Sequence, residues 1–188
     1  MNHYIEIRVL PDPEFVASVL MNALFAKVHR ELANSGSGAV GVSFPDIALE
    51  SPYSLGERLR LHSDETQLSR LMRLKWMTGM HDHIDISGVL SVPSNIRYRT
   101  FFRVQAKSSP ERLRRRRIQR HGVDYEAAVK AIPEHVVELL KLPYLMLTSR
   151  STGQRFPLFI NASDLTDLAV AGKFSAYGLS RTATIPWF

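Results

Sequence analysis

The sequence has 188 residues, 45% of them hydrophobic and 22% charged, with a formal net charge of +6 and no cysteine. This balance is typical of a globular protein, and the absence of cysteine excludes disulfides, thiolate metal sites and cysteine nucleophiles. No apolar run approaches the roughly 18 residues that span a bilayer, and the opening residues lack the features of a signal peptide. We therefore expect a cytoplasmic protein with no membrane partner.

The first half of the chain predicts the order strand, helix, strand, strand, helix, strand. Apolar residues at helical spacing predict a helix over 14–32, which a glycine- and serine-rich stretch at 34–38 ends. The run Ser63-Asp64-Glu65 supplies a capping signal for a second helix, which carries Leu68, Leu71 and Met72. Strands are predicted over 3–8, 39–44, 59–62 and 84–92. This order is typical of a ferredoxin-like domain, a fold that hosts many unrelated functions.

The composition changes from mixed to strongly basic near residue 93, and we place a domain boundary there. The predicted domains cover 1–96 and 97–188. Residues 97–121 carry ten Lys or Arg and one acid, so this segment holds a formal charge of +9 while the remainder is slightly acidic. Such concentrated positive charge indicates a surface that meets phosphates.

The second domain is predicted to mix strands with helices. A serine cap and a first-turn proline predict a helix over 110–121, and a helical pair interrupted by Pro133 follows over 125–140. Strands are predicted over 98–106, 144–148, 156–160 and 174–178. The whole chain is therefore predicted to be an α+β protein whose second lobe is an α/β RNA-binding lobe with a protruding arginine-rich helix.

The helix over 110–121 carries six arginines. A charged run is usually a solvated face, but such faces mix signs, and the nearest acids here are Glu111 and Asp124. Like charges one turn apart repel, so a bound polyanion would offset their cost, and the planar fork of arginine suits phosphate oxygens. Helical spacing places on one broad face Arg112, Arg115, Arg116, Gln119 and Arg120, and leaves Leu113 and Ile118 to tether the helix.

Four further residues have both a functional and a structural interpretation. Arg103 and Gln105 lie two apart on a predicted strand, and their side chains can bond to guanine and adenine edges, although a solvated strand face is an equal alternative. Phe156 either stacks on a base or closes a core, and the core is the more frequent place for phenylalanine. His29, near the end of the first helix, is by itself more often structural than catalytic.

The sequence predicts neither a metal site nor a cofactor. His81 and His83 lie two apart beside aspartates, but they lack further ligands at the spacing of a zinc site. The glycines form no phosphate-binding loop or dinucleotide fingerprint.

Several motifs, in chain order, resemble those of one family. They are Gly-Val-Ser-Phe-Pro at 41–45, Gly-Glu-Arg-Leu-Arg at 56–60, Arg-Val-Gln-Ala-Lys-Ser at 103–108, Pro-Glu-Arg-Leu-Arg-Arg-Arg at 110–116, Ser-x-Ser-Thr-Gly-Gln at 149–154, and Tyr-Gly-Leu-Ser at 177–180. Collinear motifs across the whole chain are hard to obtain by chance. The sequence thus resembles the type I-F CRISPR RNA-processing endoribonucleases.

This resemblance implies a metal-independent nuclease without a cofactor. Such an enzyme cuts the repeat stem-loop of precursor crRNA and stays on the product hairpin, as part of the type I-F interference complex with other subunits. In that family a histidine near the end of the first helix is essential for cleavage, and it corresponds here to His29. By the same match, Tyr177 would orient His29. Ser149 constrains the ribose upstream of the cut, and Ser151 contributes contacts around the scissile phosphate.

The resemblance also implies a set of RNA-binding residues. Arg103 and Gln105 correspond to base readers at the bottom of the stem, and Phe156 to an aromatic that stacks on the terminal pair. The chain departs from the family pattern at two positions of the helix: Gln119 stands where an arginine is expected, and Arg117 stands at an apolar position. The number of positive charges on the helix is therefore kept, and one charge has moved. The rest of the predicted RNA-binding set is Lys107, Arg112, Arg115, Arg116, Gln119, Arg120 and His121.

RNA carries its own nucleophile, the 2′-OH, so the protein needs to supply only alignment, proton transfer and charge stabilisation. We hypothesise that His29 handles a proton, as base or as acid, in a reaction that gives a 2′,3′-cyclic phosphate. One alternative is a non-catalytic hairpin-RNA-binding subunit of a ribonucleoprotein, which would not need His29, Ser149 and Tyr177 together. A double-stranded DNA-binding protein is a third interpretation, although no helix-turn-helix or zipper pattern supports it.

Overall fold

The computed structural model describes residues 1–105, 110–132, 140–149 and 151–188. It divides into two compact units, one formed by Met1–Val104 with Leu142–Phe188 and the other by Gln105–Lys141. Helices and antiparallel sheets confirm the predicted α+β class. No helix in the described ranges is long and apolar enough to cross a membrane. Lys107 lies outside these ranges.

The larger unit contains a five-stranded antiparallel sheet. Its strands are β1 His3–Val9, β2 Gly41–Ser43, β3 Arg58–Ser63, β4 Ile84–Ile86 and β5 Leu90–Ser91. They run in the order β2-β3-β1-β4, and β5 pairs with the opposite end of β1 from β4. Alternate residues of β1, Ile5 and Ile7, are fully buried because their side chains point to the face that packs in the hydrophobic core.

Two helices of this unit contribute to the same core. The first, α1 (Ala17–Ser35), buries an apolar stripe and ends at Gly36, whose φ of 59° is the left-handed conformation that glycine adopts most easily. It begins at residue 17 and not at the predicted 14, because the Asp12 carboxylate accepts the amides of residues 14 and 15 in a turn before the helix. The second, α2 (Glu65–Met72), has Asp64 as its N-cap, as predicted, and the carboxylate accepts the Gln67 amide.

Five further strands complete the larger unit. They are β6 Arg97–Arg99, β7 Phe101–Val104, β8 Tyr144–Thr148, β9 Arg155–Ala162 and β10 Ile185–Trp187. A three-stranded antiparallel sheet has the order β7-β9-β8, and β10 pairs with β6. The predicted strand over 98–106 is divided at Thr100, which exchanges hydrogen bonds with Ser163.

Two further strand predictions need correction, and one strand was not predicted. Residues 174–178 form a turn and not a strand, since the Gly178 amide donates back to the Ser175 carbonyl. The predicted strand over 84–92 is two short strands, separated where Ser87 bonds to Glu6. Strand β10 was not predicted, because its middle residue is Pro186, a residue that usually argues against a strand.

The smaller unit contains two described helices, α3 (Pro110–His121) and α4 (Tyr125–Ala131). The side chain of Arg114 is buried, and its Nε donates to the Ile132 carbonyl at 2.9 Å. Asp124 caps α4 by accepting the Ala127 amide at 2.7 Å. The second member of the helical pair predicted over 125–140 lies largely in residues 133–139, outside the described part of the chain.

Candidate functional site

His29 lies on α1, and the backbone of a distant segment holds its imidazole. Its Nδ1 lies 2.8 Å from the carbonyl oxygen of Ala176. A carbonyl oxygen only accepts hydrogen bonds, so Nδ1 carries the proton and donates it. In the neutral imidazole Nε2 therefore bears the lone pair. This contact gives the two ring nitrogens different chemistry.

The ring of Tyr177 stacks on the imidazole of His29. The two ring centroids are 4.2 Å apart and their planes differ by 16°. Tyr177 is half-buried and packs against the hydrophobic core. The prediction placed Tyr177 as the residue that orients His29, and the structure brings these two residues together in a geometry suited to that role.

A tight turn presents both the Ala176 carbonyl and the Tyr177 ring. Its Gly178 has a φ of 69°, and its carbonyl accepts the Val42 amide at 2.8 Å. A Cβ atom at residue 178 would lie only 2.2 Å from Cγ2 of Val42, so no side chain fits without movement. The prediction of a strand here missed this turn, although the glycine was a signal for it.

Ser149 and Ser151 lie in the turn between β8 and β9. Their hydroxyl oxygens are 3.1 Å apart, and the Ser149 hydroxyl accepts the Thr152 amide at 3.3 Å. The Gly153 amide donates to the Ser149 carbonyl at 2.8 Å, which closes the turn. The two predicted serines therefore form one hydroxyl pair. Among the described residues no hydrogen bond or ring contact joins this pair to His29.

Asn22 on α1 holds the strand that leads into the serine turn. Its Oδ1 accepts the backbone amide of Met146 at 2.9 Å. Met146 belongs to β8, an edge strand of the three-stranded sheet, whose last residue immediately precedes Ser149. No local pattern indicates this contact, because it joins residues 124 positions apart.

Arg103 lies between two aromatic rings. Its guanidinium carbon is 5.8 Å from the ring centroid of Phe156 and 5.7 Å from that of Tyr177. The Nη2 of Arg181 donates to the Arg103 carbonyl at 3.2 Å. Phe156 is half-buried and packs against the core, which supports the core interpretation of this ring, and part of the ring stays exposed. Because β7 ends at Val104, Gln105 lies beyond the strand, and the argument from a shared strand face does not apply to it.

The described α3 carries an exposed band of cations. Arg115 lies 3.7 Å from Glu111, one turn away, but this pair is well exposed and contributes little stability. The sequence did not distinguish Arg114, which is buried, from its neighbours. Leu113 and Ile118 are half-buried. The exposed predicted residues are Arg112, Arg115, Arg116, Gln119, Arg120 and His121, and Arg117 is exposed with them.

His62 provides a contrast to His29. It is completely buried, and its Nε2 lies 2.8 Å from the hydroxyl of Ser43. Burial, reinforced by the charge of nearby Arg60, lowers the pKa of His62 to about 3. We assign it a structural role, because a neutral and enclosed imidazole is poorly placed to exchange protons with a ligand.

No group of three or more His, Asp or Glu side chains suited to a metal ion occurs among the described residues. His83 is one of the two histidines that lack further ligands at zinc spacing. Its Nδ1 lies 2.8 Å from the Asp12 carboxylate. The same Asp12 carboxylate group caps the turn before α1. This histidine is therefore part of a local structural contact.

The described elements define an α+β protein in which a histidine on a long helix is held by a backbone carbonyl and an aromatic ring. Residues 4–188 match the family model described as "CRISPR-associated protein (Cas_Csy4)". The chain belongs to this Csy4 family, which confirms the resemblance seen in its motifs. It is 47% identical to the CRISPR-associated endonuclease Cas6/Csy4 of Pseudomonas aeruginosa (strain UCBPP-PA14) and 46% identical to that of Escherichia coli (strain UTI89 / UPEC), over 100% of both chains in each comparison.

Proposed function

We propose that this protein is a metal-independent endoribonuclease that cleaves the repeat stem-loop of precursor crRNA. Family membership and the names of the two relatives support an endonuclease acting in CRISPR RNA processing. The observation that carries the proposed chemistry is the fixed orientation of His29 by Ala176 and Tyr177.

In the proposed reaction the 2′-oxygen of a ribose attacks the adjacent phosphorus. The bond between O2′ and phosphorus forms, and the bond between phosphorus and O5′ breaks. The 2′-OH loses a proton and the leaving O5′ gains one, so the products are a 2′,3′-cyclic phosphate and a 5′-OH. With Nδ1 committed to the Ala176 carbonyl, Nε2 of His29 is the nitrogen that exchanges a proton. The two roles are alternatives. A neutral His29 acts as the base that takes the proton of the 2′-OH, whereas a protonated His29 acts as the acid that gives a proton to O5′.

We assign Ser149 and Ser151 to the sugar and phosphate beside the cut. Their hydroxyl oxygens lie 3.1 Å apart, and each hydroxyl carries a proton that it can donate to a ribose or phosphate oxygen. The turn also holds the Ser149 hydroxyl against the Thr152 amide, which limits its rotation. Such positioning contributes to catalysis by holding the 2′-oxygen near the line of attack.

We assign stem recognition to the cations of α3 and to Arg103, Gln105 and Phe156. Six exposed α3 side chains of the predicted set and Arg117 form a surface suited to phosphate. The Arg103 guanidinium has no carboxylate partner among the described residues and can donate to a base edge while Phe156 stacks beneath a terminal pair. Lys107 belongs to the same proposed set by its motif alone.

We further propose that residues 1–96 form a ferredoxin-like domain and 97–188 an RNA-binding lobe. The antiparallel order β2-β3-β1-β4, with one helix after β1 and another after β3, supports the first part of this proposal. Retention of the product hairpin within a type I-F interference complex is the accompanying proposal for partners, and it follows from the family alone.

The test is a denaturing gel of a labelled type I-F repeat hairpin incubated with the protein in excess chelator. A matched substrate carries 2′-deoxyribose at the cleavage position. We expect one cut in the first RNA and none in the second. Cleavage of both RNAs, or cleavage only when metal is added, contradicts the proposed chemistry. Tight binding of the repeat without cleavage would instead identify a hairpin-binding subunit.

A further inference from the structure

Arg103 has a position that base recognition alone does not explain. We propose that Arg103 is also a positioning residue for His29 and acts on it through the ring of Tyr177. This inference rests on the proposed function, because it concerns the rate at which bound RNA is cleaved. It adds a second role to a residue that the motifs associate only with base reading.

Four planar groups form a continuous series from Phe156 to His29. The Arg103 guanidinium lies 5.8 Å from the centroid of Phe156 and 5.7 Å from that of Tyr177. Tyr177 then stacks on His29 at 4.2 Å with nearly parallel planes. Both Arg103 distances fall within the roughly 6 Å over which a cation is attracted to an aromatic ring. The Arg103 guanidinium therefore lies within cation–π distance of Tyr177, the ring that stacks on the His29 imidazole.

The fold fixes Arg103 at this place. It pairs with Ile160 in the β7–β9 ladder, and its carbonyl accepts a hydrogen bond from Arg181. Its Nε atom is buried without a hydrogen-bond partner in the part of the chain that the structure describes. The guanidinium therefore depends on the two rings for its orientation, because no carboxylate in the described ranges holds it.

The imidazole needs the stacked ring in addition to its hydrogen bond. The bond from Nδ1 to the Ala176 carbonyl fixes one atom of the ring, but the ring can still turn about that bond. Stacking on Tyr177 fixes the plane and so sets the direction in which Nε2 points. A displacement of about 1 Å in a reacting group can cost about a hundredfold in rate. A cation that restrains Tyr177 therefore contributes to the cleavage rate.

The experiment is single-turnover cleavage at saturating protein, where binding defects no longer limit the rate. Doubling the protein concentration verifies saturation for each variant. We expect Arg103→Ala to lower the saturated rate about three- to thirtyfold, the range that loss of one cation–π contact implies. Arg103→Lys keeps a cation near Tyr177 and should recover most of this loss. Arg70→Ala, which removes an exposed cation from α2, is the matched control and should cleave at the unmodified rate.

A double variant separates action through Tyr177 from an independent effect. Tyr177→Leu removes the intermediate ring, so adding Arg103→Ala to it should lower the saturated rate by less than about twofold. Two losses that multiply would overturn the proposal, as would an unchanged saturated rate for Arg103→Ala. Thermal unfolding of each variant checks that the fold is retained. Failure of the unmodified protein to cleave would contradict the proposed function itself, which distinguishes the two failures.

Discussion

The Nδ1 of His29 and the carbonyl oxygen of Ala176 lie 2.8 Å apart although 147 positions separate them in the chain. Because the acceptor is a backbone atom, exchange of the Ala176 side chain leaves the contact available. The orientation of the imidazole therefore depends on the path of the backbone through residues 175–179. Its disruption requires a change in that path and not the loss of a side-chain partner.

Replacement of His29 by alanine should separate cleavage from binding. We expect His29→Ala to lower the single-turnover rate about 10²- to 10⁴-fold, the usual contribution of positioned proton transfer, while the affinity for the hairpin stays within a few-fold. Parallel cleavage and gel-shift assays measure the two quantities. His81→Ala, which removes an exposed histidine, is the control. Equal cleavage by both variants would return His29 to an ordinary structural role.

Replacement of Gly178 by alanine should lower both stability and activity. The new Cβ would lie 2.2 Å from Val42 Cγ2, and residue 178 would keep a left-handed φ that L side chains adopt at a cost of about 1 kcal/mol or more. Movement of the turn would displace the Ala176 carbonyl and the Tyr177 ring together. We expect the saturated cleavage rate to fall at least tenfold at a temperature where the variant is folded.

Gly88→Ala is the matched control for Gly178→Ala. A Cβ at Gly88 meets open space, and its φ is not in the left-handed region. We expect this variant to retain both its denaturant midpoint and its cleavage rate. A Gly178→Ala protein that cleaves as fast as the Gly88→Ala protein would show that the turn does not position His29.

The buried His62 should make the free energy of unfolding depend on pH. Its pKa is about 3 in the folded protein and about 6.5 when exposed, so below pH 6.5 the unfolded chain binds the proton that the folded protein excludes. Stability is therefore complete above pH 6.5 and falls with decreasing pH, by about 2 kcal/mol at pH 5 from this group. Urea unfolding at pH 5 and 7 measures the difference.

His62→Gln tests the assignment of that pH dependence. The amide keeps a hydrogen-bonding group near Ser43 and has no proton to gain in this range. We expect a less stable protein whose stability changes less between pH 7 and pH 5 than that of the unmodified chain. An equal change in both proteins would assign the dependence to other groups.

The exposed cations of α3 should make hairpin binding strongly dependent on salt. If about six phosphates are neutralised, the slope of log K against log salt should be about −4 to −5. We expect Arg120→Ala to reduce the magnitude of this slope by about one and to weaken binding of different hairpins similarly if it contacts phosphate. Titrations at four salt concentrations measure the slope. A slope near zero for the unmodified protein would contradict phosphate binding by α3.

Local signals in the sequence located much of the fold. The apolar periodicity of α1, the Asp64 cap of α2 and the alternation of β1 each arise from neighbouring residues, and the structure has these elements near their predicted positions. Strand β10 was missed because its pairing with the distant β6 outweighs the local preference of Pro186. The turn at Gly178 was missed although its glycine is a local turn signal. The sequence likewise did not predict which arginine of α3 is buried. The Nε of Arg114 donates to the carbonyl of Ile132, which lies 18 residues away in the chain.

The candidate site shows the same division. The family resemblance identified His29, Tyr177 and the two serines as residues of interest, but the atoms that orient His29 include a backbone carbonyl, which no residue type reveals. Asn22 and Arg181 were missed because each acts on the backbone of another element. Packing, and not residue identity, determines these partners.

Helix α1 also sets the distance and the relative direction of two side chains of the candidate site. Asn22, which fixes β8 before the serine turn, and His29 lie seven residues apart, which is close to two helical turns and about 10.5 Å along the axis. Both side chains therefore leave the helix on nearly the same side. One residue inserted between them would rotate one contact about 100° away from the other. The spacing between these two positions should thus tolerate substitution far better than any change in length.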